Sequence, residues 1–159
     1  MDKAKMEYYM RLALKEGYKN LTTRDGGPFG ACIVKKGVVI AVARNTVLKN
    51  DASCHAEINA IRKASRKLKS YDLSGCEIYS TTEPCLMCFG AIHWARIERI
   101  VYGTGVPDAE RIGFNELKLR AYNLRRSGKS PVEIESGFMY KECKKLFDEW
   151  SKLKDKRLY

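Results

Sequence analysis

The sequence predicts an α/β protein in which a partly parallel sheet carries helices on its faces. Two features predict it. The β-rich runs "CEIYSTT" and "RIVYGTG" are separated by the helical stretch "CLMCFGAIHWAR", the alternation that brings successive strands side by side in parallel. Ahead of them, "ACIVKK" and "VVIAVAR" are separated only by Lys36 and Gly37, which predicts a hairpin.

In chain order, "MEYYMRLALKEGYKN" places Met6, Met10, Ala13 and Leu14 at helical spacing, so an amphipathic helix is expected, ending near Gly17 or just after. The glycine-rich loop "TTRDGGPFG" lacks phosphate-loop spacing and leads into the hairpin. From His55 to about Leu68, the pattern Ile58, Ile61, Ala64, Leu68 has helical period. Beyond "RIVYGTG", the segment "FNELKLRAYNLRR" reads as a helix and "SGKSPVEI" as a turn followed by an extended piece. "YKECKKLFDEWSKLKDKR" reads as a last amphipathic helix. With 159 residues and no repeat, low-complexity tract or long linker, one domain over residues 1–159 is expected.

No apolar run is long enough to cross a bilayer, and "MDKAKMEYYM" lacks the apolar block of a signal peptide, so a cytoplasmic protein is expected. The six cysteines then read as reduced thiols, some of them metal ligands, rather than as a disulfide framework. A net charge of +11 fits either an anionic partner such as RNA or a soluble, self-repelling surface.

One of the two histidines, His55, stands two positions before Glu57 in "CHAEINA", and thirty residues later comes "EPCLMC". Alone, His55 reads as a packed or exposed histidine, and Cys85 with Cys88 as a buried or redox-active pair. Together they supply three ligands that zinc prefers, from two segments that each begin a helix, and catalytic zinc takes three protein ligands and keeps one position open. Two sulfurs three residues apart at a helix start can face one point, where the helix dipole favours thiolate. A carboxylate beside a metal-activated water can take, hold and return its proton, which is the work open to Glu57. Cys54 adjoins His55 but projects elsewhere on the helix, so it reads as a small packed thiol. A thioredoxin-like pair would leave "HAE" without a role. A structural zinc site would need a fourth protein ligand from Cys54, Cys32 or His93.

The pairing of H-x-E with P-C-x-x-C resembles the zinc-dependent cytidine deaminase superfamily. Within it, "GGPFGACIV", "NAIRKA", "EPCLMCFGAIHWAR" and the terminal "KDKRLY" are similar to bacterial-type guanine deaminases over nearly the whole chain. Leu86 stands where that family has proline, and His93 where it has tyrosine. The resemblance implies a three-layer α/β/α cytidine-deaminase-like fold with a central mixed five-stranded sheet. It implies Zn2+ held by His55, Cys85 and Cys88, and Glu57 as general acid/base. The implied reaction is hydrolytic deamination of guanine to xanthine and ammonia by a zinc-activated water.

For the base itself, the family's "DAAEAGFDD" is met by "DAERIGFNE", which puts Asn115 and Glu116 where two acids are usual. The resemblance implies Glu116 and Tyr159 in base recognition, because a carboxylate can accept from the N1–H and the exocyclic amine of guanine together. Asn45 matches a substrate-contacting asparagine of the wider superfamily, and Phe29 and Trp94 offer flat apolar walls for a base. His93 reads as structural. The resemblance further implies a homodimer whose C-terminal segment, about 137–159, closes over an active site and is exchanged between subunits. The rival substrates are cytosine or another aminated ring, and tRNA adenosine, which the basic run "RKASRKLK" would favour.

Overall fold

A computed structural model describes residues 2–159; Met1, which the expected domain includes, lies outside the described residues. Its element order is α1 (Lys3–Thr23), β1 (Gly30–Lys35), β2 (Val38–Arg44), α2 (Ala56–Leu68), β3 (Cys76–Thr82), α3 (Leu86–Trp94), β4 (Arg99–Thr104), α4 (Val106–Arg111), α5 (Ala121–Ser127), β5 (Glu133–Glu135) and α6 (Tyr140–Ser151). The five strands form one sheet in the order β2-β1-β3-β4-β5. β1 is antiparallel to both β2 and β3, whereas β3–β4 and β4–β5 are parallel, so the sheet is mixed as expected.

β1 shows how the period of two builds three layers, since successive side chains of a strand leave on opposite faces. Ala31 and Ile33 join Ala56, Ala60, Ala64, Phe89, Ile92 and Ala121 of α2, α3 and α5 on one face. Cys32 and Val34 join Met6, Met10, Ala13 and Leu146 of α1 and α6 on the other. The β1–β2 connection is the expected two-residue hairpin, with Lys36 (φ 48°) and Gly37 (φ 80°) both left-handed, the conformation that matches the twist of the strands. β2 is an outer strand of the sheet. From α2, Lys63 Nζ donates to the Val42 carbonyl (2.9 Å) and Lys67 Nζ to the Val39 carbonyl (3.3 Å).

Three boundaries differ from the sequence reading. α1 runs on through Gly17 to Thr23, because Gly17 is a packing position rather than a stop: a Cβ there would lie 2.8 Å from Leu146 Cδ2. The helix ends instead at Arg24, which is left-handed and returns its N–H to the Asn20 carbonyl (3.2 Å). The expected helix from Phe114 onward is an irregular segment as far as Arg120, and α5 begins at Ala121. A short helix, α4, instead precedes that segment, its start signalled by Pro107 and by Asp108, whose carboxylate accepts from Gly105 N (2.8 Å). Finally α6 stops at Ser151, after which the chain turns back; Arg24 pairs with Asp155 (2.9 Å) and Leu153 packs beside Trp150. Among the described residues no helix is long and apolar enough to cross a membrane.

Candidate active site

The start of β1, the ends of β2 and β3 and the starts of α2 and α3 meet at one cavity of about 270 Å³. His55 and Cys85 are the N-cap residues of α2 and α3, both with extended backbone, and neither side chain caps its own helix. Both are therefore free to face a shared point. His55 Nδ1 lies 3.6 Å from Cys85 Sγ and 3.6 Å from Cys88 Sγ. With Zn–S of ~2.3 Å and Zn–N of ~2.0–2.1 Å at a tetrahedral angle, the sulfur-to-nitrogen edge is about 3.6 Å, so the three atoms fit zinc. The three ligand atoms lie within 4.8 Å of one another, and the cluster holds no further His, Cys, Asp or Glu among the described residues. Cys32 packs on the opposite face of the sheet, and Cys54 Sγ lies 3.4 Å from both Asp51 Oδ2 and Arg62 Nη1. His93 bonds Ser130 Oγ (2.9 Å). The fourth position is thus left to the cavity.

The donor set is already polarised. The Cys85 thiol is pulled down to about 4, first by the hydrogen bond from Cys88, then by His55, against the effect of burial. Cys88 is pushed well up by the same bond and by burial. Burial disfavours the charged form of His55, but the Cys85 sulfur and the Glu57 carboxylate outweigh it and the net shift is upward. A divalent ion would take the place of the protons shared among these three groups, since it binds neutral imidazole and thiolate.

Glu57 occupies the first turn of α2 and is buried. Because His55 is an extended cap residue rather than part of the helical spiral, the two side chains converge despite their spacing of two. Glu57 Oε1 accepts from Ser80 Oγ (2.9 Å), and Oε2 lies 3.5 Å from Cys88 Sγ. Burial raises its pKa, with His55 opposing, which favours the protonated carboxyl.

Of the expected substrate residues, Asn45, Phe29, Glu116 and Tyr159 line this cavity. Asn45 is buried; its Oδ1 accepts from Val47 N (3.0 Å), and its Nδ2 has no hydrogen bond of good geometry, with the Tyr159 hydroxyl as a polar neighbour. Phe29 stands edge-on to Phe114, with centroids 4.9 Å apart. Glu116 is half-buried, and its carboxyl is pushed up to about 7 by burial and then by Cys85, with His55 opposing. The Tyr159 hydroxyl accepts from Gly27 N (3.1 Å), its carbonyl accepts from Asn115 N (3.3 Å), and its ring packs on Phe114. The tail therefore reaches the cavity of its own chain.

Trp94 corrects the sequence reading. It is 79% exposed at the end of α3 and borders a different, larger cavity of about 1130 Å³ with Tyr71 and Arg96. Sequence reasoning also passed over Ser80, Phe114 and Glu83. An acid directly before Pro84 and Cys85 was the one signal that pointed to Glu83.

Comparison with known proteins agrees with this geometry. Residues 3–104 match the family model of the cytidine and deoxycytidylate deaminase zinc-binding region. The chain is 42% identical to the guanine deaminase of Bacillus subtilis (strain 168) over 111 residues, covering 69% of this chain and 71% of that protein. It is 37% identical to the tRNA-specific adenosine deaminase of Buchnera aphidicola subsp. Schizaphis graminum over 150 residues, covering 92% and 94%. The solved guanine deaminase from Nitrosomonas europaea superposes with a TM-score of 0.81 at 28% identity, covering 96% of this chain and 86% of that one. A structure from work on A-to-I editing by tRNA:A34 deaminases superposes with a TM-score of 0.75 at 34% identity, covering 88% and 99%.

Proposed function

Since the chain belongs to the cytidine and deoxycytidylate deaminase zinc-binding family, we propose that it hydrolyses guanine to xanthine and ammonia. The observation that carries this reading is the cavity of about 270 Å³, roomy enough for a free base, bordered by the chain's own Tyr159 and by the carboxyl of Glu116. Bound by His55, Cys85 and Cys88, zinc would supply a Lewis acid that lowers the pKa of a water towards about 7.

The chain's residues do the rest. Glu57 takes one proton from the attacking water and delivers it to N3 as C2 becomes tetrahedral, then carries the proton of the new C2 hydroxyl to the amine as the C2–N bond breaks and the C2 carbonyl forms. Ser80 keeps the Glu57 carboxylate aimed at the cavity. Glu116 accepts from the N1–H edge of the base, Asn45 Nδ2 donates to it, and Phe29 with Phe114 borders its faces. Tyr159 excludes bulk water, so residues 137–159 serve as a lid within one domain.

A tRNA adenosine deaminase is the second reading, favoured by relatives that align over more of the chain and by the surplus positive charge. Cytosine or another aminated ring is the third, because Asn115 and Glu116 replace the usual two acids. A homodimer belongs to the proposal as well. The exposure of Trp94, Tyr71, Leu86 and Met87 supports it, and exchange of the tail is not required for Tyr159 to reach a cavity. Ammonia release from guanine, cytosine, adenine and an anticodon stem-loop separates these readings. Release from guanine is expected, and release from the stem-loop alone would overturn the first reading.

A further inference from the structure

Glu83 closes β3 just before Pro84 and the ligand Cys85, and its side chain is fully buried. Its Oε2 accepts from Val106 N (3.1 Å) and from Arg120 Nε (2.7 Å), and its Oε1 accepts from Ala121 N (2.8 Å). A buried carboxylate is unfavourable unless it is paired and hydrogen-bonded, and here three donors, one of them a guanidinium, meet it. The donors come from two places in the chain. Val106 opens α4, while Arg120 and Ala121 open α5. Between them runs the segment that carries Phe114, Asn115 and Glu116 to the cavity.

Both ends of the recognition segment are thus fastened to one carboxylate two residues from a metal ligand. We propose that Glu83 and Arg120 are positioning residues that set the register of this segment against the metal centre, and so govern how tightly the base is held. Neither touches the reacting atoms. Within the segment Phe114 is packed against Phe29, Trp150 and Tyr159, but the residues after it are lightly held: Leu117 and Leu119 are exposed, and Asn115 N donates to the Tyr159 carbonyl at 3.3 Å. Loosening the clamp therefore moves Glu116 before it moves His55, Cys85 or Glu57, which α2, α3 and Ser80 hold independently. The inference rests on the deaminase reading for its kinetic arm and on the structure alone for its exchange arm.

The test compares Arg120→Gln, Arg120→Lys and Glu83→Gln in the full chain. Loss of one charge-assisted bond at Arg120→Gln is expected to speed amide hydrogen exchange in residues 112–120 by about tenfold or more, with α2 and α3 unchanged. Zinc content stays at wild type. KM for the deaminated base rises by about tenfold or more while kcat stays within about threefold, and Arg120→Lys recovers part of the difference. Glu83→Gln shows the same pattern more strongly; if it does not fold, Arg120→Gln decides. Unchanged exchange in 112–120 overturns the inference, as does faster exchange across the whole sheet or a fall in kcat without a change in KM. Should the wild type deaminate no free base, the functional reading fails while the exchange result still judges the clamp.

Discussion

Replacing Glu57 by Gln separates proton carriage from metal binding. The amide has the shape of the carboxylate, so its oxygen can still accept from Ser80 Oγ, as Oε1 does at 2.9 Å. Its nitrogen would lie where Oε2 now lies, 3.5 Å from Cys88 Sγ, and can donate to a thiolate there. The three ligand atoms have no reason to move, and zinc content should be that of the wild type. What is lost is a general acid/base, a contribution of about 10²–10⁴ in rate. That corresponds to about 2.7–5.4 kcal/mol of activation free energy at ~1.36 kcal/mol per tenfold. Stability should respond in the opposite direction. In the metal-free protein, burial raises the pKa of Glu57, so the folded state binds its proton more tightly than the unfolded chain does. Its ionisation therefore weakens the fold as pH rises from the ordinary carboxylate range through the folded pKa, and Gln removes that dependence. Zinc stoichiometry, single-turnover ammonia release and urea midpoints across pH check all three points. Loss of zinc, or a rate within about tenfold of wild type, would refute the assignment.

Asn45→Asp keeps the acceptor for Val47 N but removes the amide donor, and KM should rise by about tenfold or more; an unchanged KM would remove Asn45 from substrate binding. In metal-free protein, Cys85 should react with iodoacetamide at nearly the same rate at pH 6 and pH 8, because its pKa is about 4. An ordinary thiol would gain about 80-fold over that range. Zinc should suppress the reaction, and peptide mass spectrometry reads both effects. Gly30→Ala sets a Cβ 1.9 Å from the Ala13 carbonyl oxygen, backbone against backbone, so α1 must leave the sheet; a loss of about 3 kcal/mol is expected from urea midpoints.

The metal centre was legible because two of its ligands, His55 and Cys85, are cap residues marked locally by the loops before "HAE" and "CLMC", and Cys88 follows one turn into α3. The sheet was legible because alternation within β1 and the helix between β3 and β4 are properties of adjacent residues. Trp94 was not, since six residues at ~3.6 per turn carry it about 240° around α3 from Cys88, away from the cavity. The irregular segment before α5 was read as helix from composition alone. Leu117 and Leu119 turn out to be exposed, and the donors at the start of α5, Arg120 Nε and Ala121 N, are engaged by Glu83, 37 and 38 residues away in sequence. The closeness of Tyr159 to Gly27 is likewise a contact across the length of the chain.

The two lysines that α2 extends over β2 alter the meaning of the positive charge. A bare outer strand is a template onto which a strand from another molecule can add. Lys63 and Lys67 occupy the Val42 and Val39 carbonyls, two of the acceptors such an intruder would use, and ring that border with charge repelling its own kind. Part of the +11 balance is therefore spent on this border of the sheet, where it blunts strand addition without calling for an anionic partner.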